Sequence, residues 1–567
     1  MKEQAKDEVR REVIVLLNWL HRGRAILRLL FFCLLVALCF SLPGPASAQW
    51  QHDGVLLSTL PSVEQLPMIV GDGQGGAIIV WQDFRGGPPG DIYAQRLDHL
   101  GHATWTANGV LVWDSHVQWE HVLYIVPDDA GGAIIMWTSF PGFIKAQRIG
   151  EQGSPLWETD GITVGPANYV RAAVTDGSGG VIVAYGPKRL ARINAQGVIQ
   201  WQFDPAPPFG GAGNTEILAV TGDGLGGAIV MGHAQLYEDT TQVFRAFRVS
   251  AAGNWFQDGA DVCESCGGFS ATSDGTGGAV IAYLRTSQDN NTQIFAQRLS
   301  ADGLIQWQPG GIALCTNPSN QTPLQLEIAG GTGDVVVAWI DERDGPSASI
   351  YGQRVSLNGV LEWQSDGSLL STTPGGSEMM RVVRDESGGA ILSWMVGTQN
   401  ERDIYAQHVN AAGLPLGPVD GIPVCTSAGD QTYPEVAADG EGGAIVTWND
   451  VRNGVSVYAQ RVGDSMTSIG DGPRLGLFQL GPNYPNPFSG QTQLEVRLPD
   501  VSDVRVEVFD IAGHKVREKL LAGLTAGTHP LSFNGRDGRG RQLPSGVYFF
   551  RVHASGSTIT RKIVIAR

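Results

Sequence analysis

Trp-x-Asp-x-Arg occurs three times in the chain and supplies its most regular charged pairs: Asp83 with Arg85, Asp341 with Arg343, and Asp450 with Arg452. A carboxylate two residues from a guanidinium can grip a polar ligand, or it can close on itself as an ion pair that braces a loop. Cys263 and Cys266 stand three residues apart and can close a local bridge in an oxidising compartment. Zinc would need two further ligands, and no spacing supplies them. There is no Gly-x-Ser-x-Gly elbow, no His-Glu-x-x-His and no repeated Ser-x-Asp-x-Gly. The segments Asp-Gly-x-Gly-Gly lack the converging oxygens of a calcium loop, and no helix follows them to make a phosphate cradle. Neither cofactor nor metal is expected. A carboxylate pair for glycoside cleavage can exist among so many acids, but spacing along the chain brings no two of them together.

What positions these residues is a repeat. Asp72-Gly73-Gln74-Gly75-Gly76-Ala77-Ile78-Ile79-Val80-Trp81 recurs with variation from Asp128, Asp176, Asp223, Asp274, Gly330, Asp385 and Asp439. A period near fifty residues is the signature of a stacked architecture. Each unit holds four strand-like pieces: an apolar run such as Pro67–Val70, the wholly apolar Ala77–Trp81 after an Asp-Gly turn, Ile92–Leu97, and a fourth strand opened by Trp105 and running through Val112. One aromatic column comprises Trp81, Trp137, Tyr185, Tyr283, Trp339, Trp394 and Trp448, with Gly232 as its exception. A second comprises Trp50, Trp105, Trp157, Trp201, Trp255, Trp307 and Trp363, with Leu416 as its exception. Large rings repeating once per sheet fill the space between stacked blades. The third strands carry Arg96, Arg148, Arg192, Arg248, Arg298, Arg354 and Arg461, with His408 in the remaining place. So regular an arginine implies a partner within the scaffold, a blade carboxylate or carbonyl.

These features predict an all-β chain: an eight-repeat β-propeller over residues 49–463, of eight blades or of seven with one irregular unit. The last repeat stops at Tyr458–Val462 without a fourth strand, and Trp50–Leu57 is a fourth strand without a preceding repeat. Joining them closes a ring and leaves no open sheet edge. The loops after the second and fourth strands then share one face. The Asp-x-Arg pairs should lie there, where variable loops on a rigid scaffold usually bind ligands.

Residues 464–476 form a polar linker, and 477–567 change character. Asn483-Tyr484-Pro485-Asn486-Pro487-Phe488 is followed by Val504–Phe509 with the turn Asp510–Gly513, Gly527-Thr528-His529, Gly546-Val547-Tyr548-Phe549-Phe550-Arg551, and a final strand containing Lys562. Short strands at such intervals suggest an immunoglobulin-like sandwich. This ordered set resembles the type IX secretion C-terminal sorting domain, which belongs with the immunoglobulin-like fold of the flagellar hook-capping protein. The resemblance covers Leu477–Arg567. It implies passage through the periplasm and recognition by an outer-membrane secretion machine, with Asn483, Pro485, Asn486, Pro487, Phe488, Gly546, Tyr548 and Lys562 as the motif positions. The repeats themselves resemble exported bacterial propeller arrays.

Charge separates the two regions. Residues 49–474 hold 20 Arg and Lys against 45 Asp and Glu, a net −25, whereas 475–567 hold 12 against 7, a net +5. So acidic a surface repels a phosphate backbone, which argues against nucleic acid as a partner. Residues 1–48 read as a signal peptide: Arg22, Arg24 and Arg28, an apolar run Leu29–Leu42, and Ala46-Ser47-Ala48 before a cleavage point between Ala48 and Gln49. Retained, the same run would be a membrane anchor; once it is cleaved, no stable span is expected. The sequence therefore implies an exported or cell-surface binding protein with a glycan or protein ligand, more readily than a secreted carbohydrate- or peptide-processing enzyme. N-terminal sequencing of the exported protein should begin at Gln49. A mature form retaining Leu29–Leu42 would make that segment an anchor instead.

Overall fold

The second strand of each repeat is apolar on both faces, and in the structure it has protein on both faces. Every residue of Ala77–Asp83, Val335–Asp341 and Ala444–Asp450 is buried. The structure, a computed structural model, describes most of residues 50–566. Residues 1–49, 464–478 and 481–487 lie outside it, as do several short stretches between strands, so the signal and linker expectations fall outside the described residues.

The repeat region is all-β and propeller-like. Sheet 1 pairs Glu64–Gly71, Ala77–Asp83, Asp91–Leu97 and Val110–Trp113 in antiparallel order. Sheets 2 to 7 repeat the pattern, beginning with the strands His121–Pro127, Val170–Thr175, Glu216–Gly222, Cys266–Ser273, Leu326–Ala329 and Ser377–Arg384. In sheet 8 the chain supplies Gln431–Ala438, Ala444–Asp450 and Ser456–Val462, and the fourth strand is Val55–Leu56, with Val55 opposite Ala459 and Leu56 opposite Tyr458. The first strands pack on one another in sequence order, and the first strand of sheet 8 packs on that of sheet 1. Asn449 Nδ2 donates to Glu64 O at 2.9 Å and Asn449 Oδ1 accepts Leu66 N–H at 3.0 Å across that contact.

The turn after each first strand is held by its aspartate. Asp72 Oδ1 accepts the N–H groups of Gln74 and Gly76 at 2.8 and 2.9 Å. Gly76 is required there, because a Cβ would sit 2.1 Å from Leu97 O. Asp72 Oδ2 takes Arg96 Nε at 2.8 Å, and Arg96 Nη1 continues into sheet 2 to reach Glu151 O at 3.3 Å. Trp105 Nε1 donates to that same carbonyl at 2.8 Å. Arginine and tryptophan converge in the same way on Ala195 O, Ala251 O, Leu357 O and Ala411 O. In sheet 6 the carboxylate is not at Gly330, where the repeat begins, but at Asp334, whose Oδ2 accepts Arg354 Nε at 2.8 Å. Sheet 7 substitutes His408, with Nε2 2.7 Å from Asp385.

In sheets 1, 2, 5 and 6 the glutamine before the arginine holds the opposite end of the same loop. Gln95 Nε2 donates to Thr106 O and its Oε1 accepts Trp105 N–H, and Gln147, Gln297 and Gln353 repeat both bonds. This corrects the fourth strand. Trp105 does not open it; the ring sits in the loop before Val110, turned toward the next sheet.

At the C-terminus, Gln479–Leu480, Thr492–Leu498 and Gly527–Phe533 form one sheet. Lys515–Leu524, Ser502–Asp510, Gly546–Ala554 and Ser557–Ile565 form another in that order. Phe488, Phe533 and Phe550 meet in the core, with ring centroids 6.1 and 6.0 Å apart.

Arg148→Ala should leave the Asp128 carboxylate, 1% exposed, without its charged partner. Removing one member of a buried pair costs about 3 kcal/mol, so urea unfolding should show a loss of that order. A change below about 0.5 kcal/mol would show that the scaffold does not depend on this pair.

Candidate functional site

The three Asp-x-Arg pairs are built alike. Asp83 is fully buried; its Oδ2 accepts Trp81 Nε1 at 3.0 Å and Arg85 Nη2 at 2.5 Å. Burial pushes this carboxyl up, but the bonds from Arg85 and Trp81 hold it below the usual range. The Arg85 guanidinium lies 3.8 Å over the Tyr93 ring and also donates to Asn108 O at 2.9 Å. Arg343 pairs with Asp341, stacks 3.9 Å over Tyr351 and donates to Asp366 O at 2.9 Å. Arg452 pairs with Asp450 at 2.5 Å, stacks 4.2 Å over Tyr458 and donates to Asp53 O at 2.8 Å.

Each arginine also touches the preceding sheet, at Ser58 Oγ (3.5 Å), Cys315 Sγ (3.1 Å) and Cys425 Sγ (2.8 Å). The adjacent threonines, Thr59, Thr316 and Thr426, donate backbone N–H groups to Asn108, Asp366 and Asp53. The three aspartates therefore brace their loops, and the three arginines join each loop to the preceding sheet. The cysteines play the part of Ser58 there. Burial raises both thiols, Cys425 to about 12, which keeps them unreactive. Cys263 and Cys266 form a disulfide.

A different group emerges from the first strands. In register, Met68, Tyr124, Ala172, Ala219, Ser270, Glu327, Arg381 and Glu435 occupy one equivalent position in the eight sheets. A bulge immediately precedes this position in seven of them, and Leu66, Met379 and Tyr433 adopt φ of 56°, 52° and 56° there. Bulges re-aim side chains, and bulky residues held in the left-handed region mark places the surroundings over-determine.

Sheets 6, 7 and 8 bring Glu327, Arg381 and Glu435 together. Arg381 Nη2 and Nε meet Glu435 at 2.8 and 3.0 Å, and Nη1 meets Glu327 at 3.4 Å. The three side chains keep 31%, 31% and 25% exposure. Burial raises the Glu327 carboxyl, Arg381 pulls it back and Glu435 pushes it up again, to about 7. Tyr124 lies within electrostatic reach of both glutamates, and its phenol is raised by burial first. Arg171 and Glu216, paired at 2.8 Å, add a second ion pair beside the same position in sheets 3 and 4. The group can accept and donate hydrogen bonds at once, and at neutral pH it holds a proton poised for exchange.

The sequence carried a signal for this group. The equivalent position lies four residues before the turn aspartate in seven repeats and three before Gly330 in the sixth, and polar residues there interrupt an apolar run.

Glu64 shares the Glu327 behaviour without its exposure. It is fully buried where sheets 8 and 1 meet, and its Oε2 accepts Val457 N–H at 3.1 Å. Burial outweighs that bond and brings the carboxyl to about 7.

Of the sorting-motif positions, Asn483, Pro485, Asn486 and Pro487 lie outside the described residues. Phe488 is in the sandwich core, its N–H bonded to Val564 O at 3.0 Å. Gly546 opens a central strand, where Tyr548 Oη donates to Pro544 O, and the backbone of Lys562 pairs opposite Phe549.

Residues 482–557 match the family model of the FlgD Ig-like domain, and the C-terminal region is accordingly immunoglobulin-like. No curated protein matches the chain in sequence. Among solved structures it is similar to a protein of unknown function from Dyadobacter fermentans, at 10% identity and TM-score 0.31, covering 73% of this chain and 98% of that one. It is similar to the β-propeller domain of the Trilobed protease from Pyrococcus furiosus, at 9% identity and TM-score 0.38, covering 62% and 98%. It is also similar to an endo-arabinase from Bacteroides thetaiotaomicron, at 12% identity and TM-score 0.28, covering 61% and 95%. At such identity none of those activities transfers to this chain.

Glu64 and Glu327 bind their protons more tightly folded than unfolded, so stability must fall as pH rises toward and through 7. His233, pushed down by burial, acts in the opposite sense only below its ordinary value of 6.5. Between pH 6.5 and 8 the unfolding free energy should therefore decline, and a Glu64→Gln, Glu327→Gln double variant should flatten the slope. A slope unchanged in that variant would place the titration elsewhere.

Proposed function

We propose that the eight sheets close into an eight-bladed propeller whose first strands line an axial opening, and that the Tyr124, Glu327, Arg381 and Glu435 group binds a glycan at its mouth. The observation that carries this reading is the three-residue charged group donated by adjacent sheets. Fixed carboxylates beside a partly exposed guanidinium suit hydroxyl groups, which donate and accept in turn. The closed ring is supported by the fourth strand that Val55–Leu56 adds to sheet 8 and by the packing of sheet 8 on sheet 1. Binding rather than catalysis is the primary role. The protein is exported, and its immunoglobulin-like region serves as the address read by the secretion machinery.

A second reading has its own support. Glu327 holds a proton near neutrality, while Glu435 is gripped at two nitrogens by Arg381. Two carboxyl groups in unlike surroundings are the arrangement that divides acid from base in glycoside cleavage.

A glycan array probed with the mature protein should yield at least one class of ligand. Glu327→Gln and Arg381→Ala should each weaken its binding at least about tenfold, or 1.4 kcal/mol, with the fold intact by circular dichroism. Equal binding by both variants would move the site away from this group. Release of reducing sugar by the wild type, lost in Glu327→Gln, would select the catalytic reading. Removing Leu477–Arg567 should leave residues 49–463 folded in the periplasm of a host that has the machinery, and normal surface delivery of that truncation would refute the address.

A further inference from the structure

Leu524 and Gly527 end and begin consecutive strands that belong to different sheets of the C-terminal sandwich. The chain steps from one sheet to the other at that corner. Lys515–Leu524 has Ser502–Asp510 beside it on one side only. On the other, Val516 O accepts Gly538 N–H at 2.9 Å, and beyond that bond no strand pairs with it among the described residues. Gly527–Phe533 is likewise the outer strand of its own sheet.

Between these two edges lies a cavity of about 220 Å³. Its floor is the core itself, with Phe533 and Phe550 exposed by only 2% and 1% and Leu521 beside them. Its rim is basic, with the charged Arg517 and Lys519 beside the His529 imidazole, and none of the twelve lining residues is acidic. Arg517 is steadied by Asn534 Oδ1 at 2.7 Å and Arg536 O at 3.1 Å, both neutral acceptors. His529 Nε2 donates to Thr525 O at 2.7 Å. The neighbouring carboxylate, Glu518, faces away with Lys515, 2.7 Å distant.

An apolar floor under a basic rim with no acidic lining residue is complementary to one ligand chemistry: a short aliphatic chain ending in an anion. The geometry points to this corner as a binding site for a free aliphatic carboxylate, its tail against the partly buried Leu521 and Leu524 and its carboxylate between Arg517 and Lys519. Octanoate, an aliphatic chain with one terminal carboxylate, is a simple probe of that chemistry. Inward-pointing charges on an edge strand also deter strand addition, and that role alone would require no ligand. The inference is independent of the propeller site and of the address assigned to this domain.

Calorimetric titration of the full mature protein with octanoate distinguishes the two roles. Octanoate should bind with a dissociation constant of about 1 mM or tighter, and octanol, with the same tail and no charge, at least about tenfold more weakly. Lys519 is exposed, so Lys519→Glu should fold normally and abolish the preference for octanoate over octanol. Leu521→Trp should fill the cavity and remove binding of both. Absence of octanoate binding, equal affinity for octanol, or an unchanged preference in Lys519→Glu would each overturn the site and leave the basic residues as edge protection.

Discussion

The scaffold depends on buried turn aspartates whose charge is answered within the sheet and beyond it. Asp72, Asp128, Asp176, Asp223, Asp274 and Asp439 are almost without solvent, and a carboxylate in that position is tolerable only with a positive partner and hydrogen bonds on every lone pair. The turn's own N–H groups take one oxygen and the third-strand arginine takes the other. At sheets 1, 2, 3, 5 and 6, that arginine then reaches a carbonyl of the next sheet, where a tryptophan from the following loop joins it. A repeat is therefore electrostatically complete only when its successor is in place. Nearest-neighbour dependence of this kind converts separate four-stranded units into one cooperative array.

Because the anchoring is done by turns and loops, the first strands are released from it. Their side chains at the bulged position range from Ala172 to Arg381, and only sheets 6, 7 and 8 place three charged groups side by side. A rigid frame with a variable column on its first strands is a means of holding unlike groups at fixed separation.

The sequence displayed the frame more clearly than the site. Periodic Asp, Arg, Gln and Trp residues announce themselves because eight copies face the same physical demand. Asp83, Asp341 and Asp450 looked like ligand-facing charges for the same reason, although their side chains turn inward to Trp81, Trp339 and Trp448. Glu327, Arg381 and Glu435 belong to a column that holds six residue types in eight repeats, so no periodic signal reveals them. Their meeting depends on register and on bulges that shift it by one residue, neither of which is legible along a single strand. Strands of the sandwich such as Val504–Phe509 were readable from alternation and turn residues, whereas the cavity at its corner follows from where the chain changes sheets.

Sheet 7 departs from the repeat twice, with His408 in place of arginine and Leu416 in place of tryptophan. Those two positions would send donors to the hairpin between the third and fourth strands of the following sheet. Sheet 8 has no such hairpin, since its third strand ends at Val462 and its fourth comes from the other end of the chain. The donors are missing where the acceptor is missing. The two departures thus mark the sheet that precedes the one completed from the other end of the repeats. A circular permutant that joined Val462 to Val55 through a new turn would restore the acceptor. It would then gain from Arg and Trp at 408 and 416, and whichever sheet preceded the new break would no longer need its own.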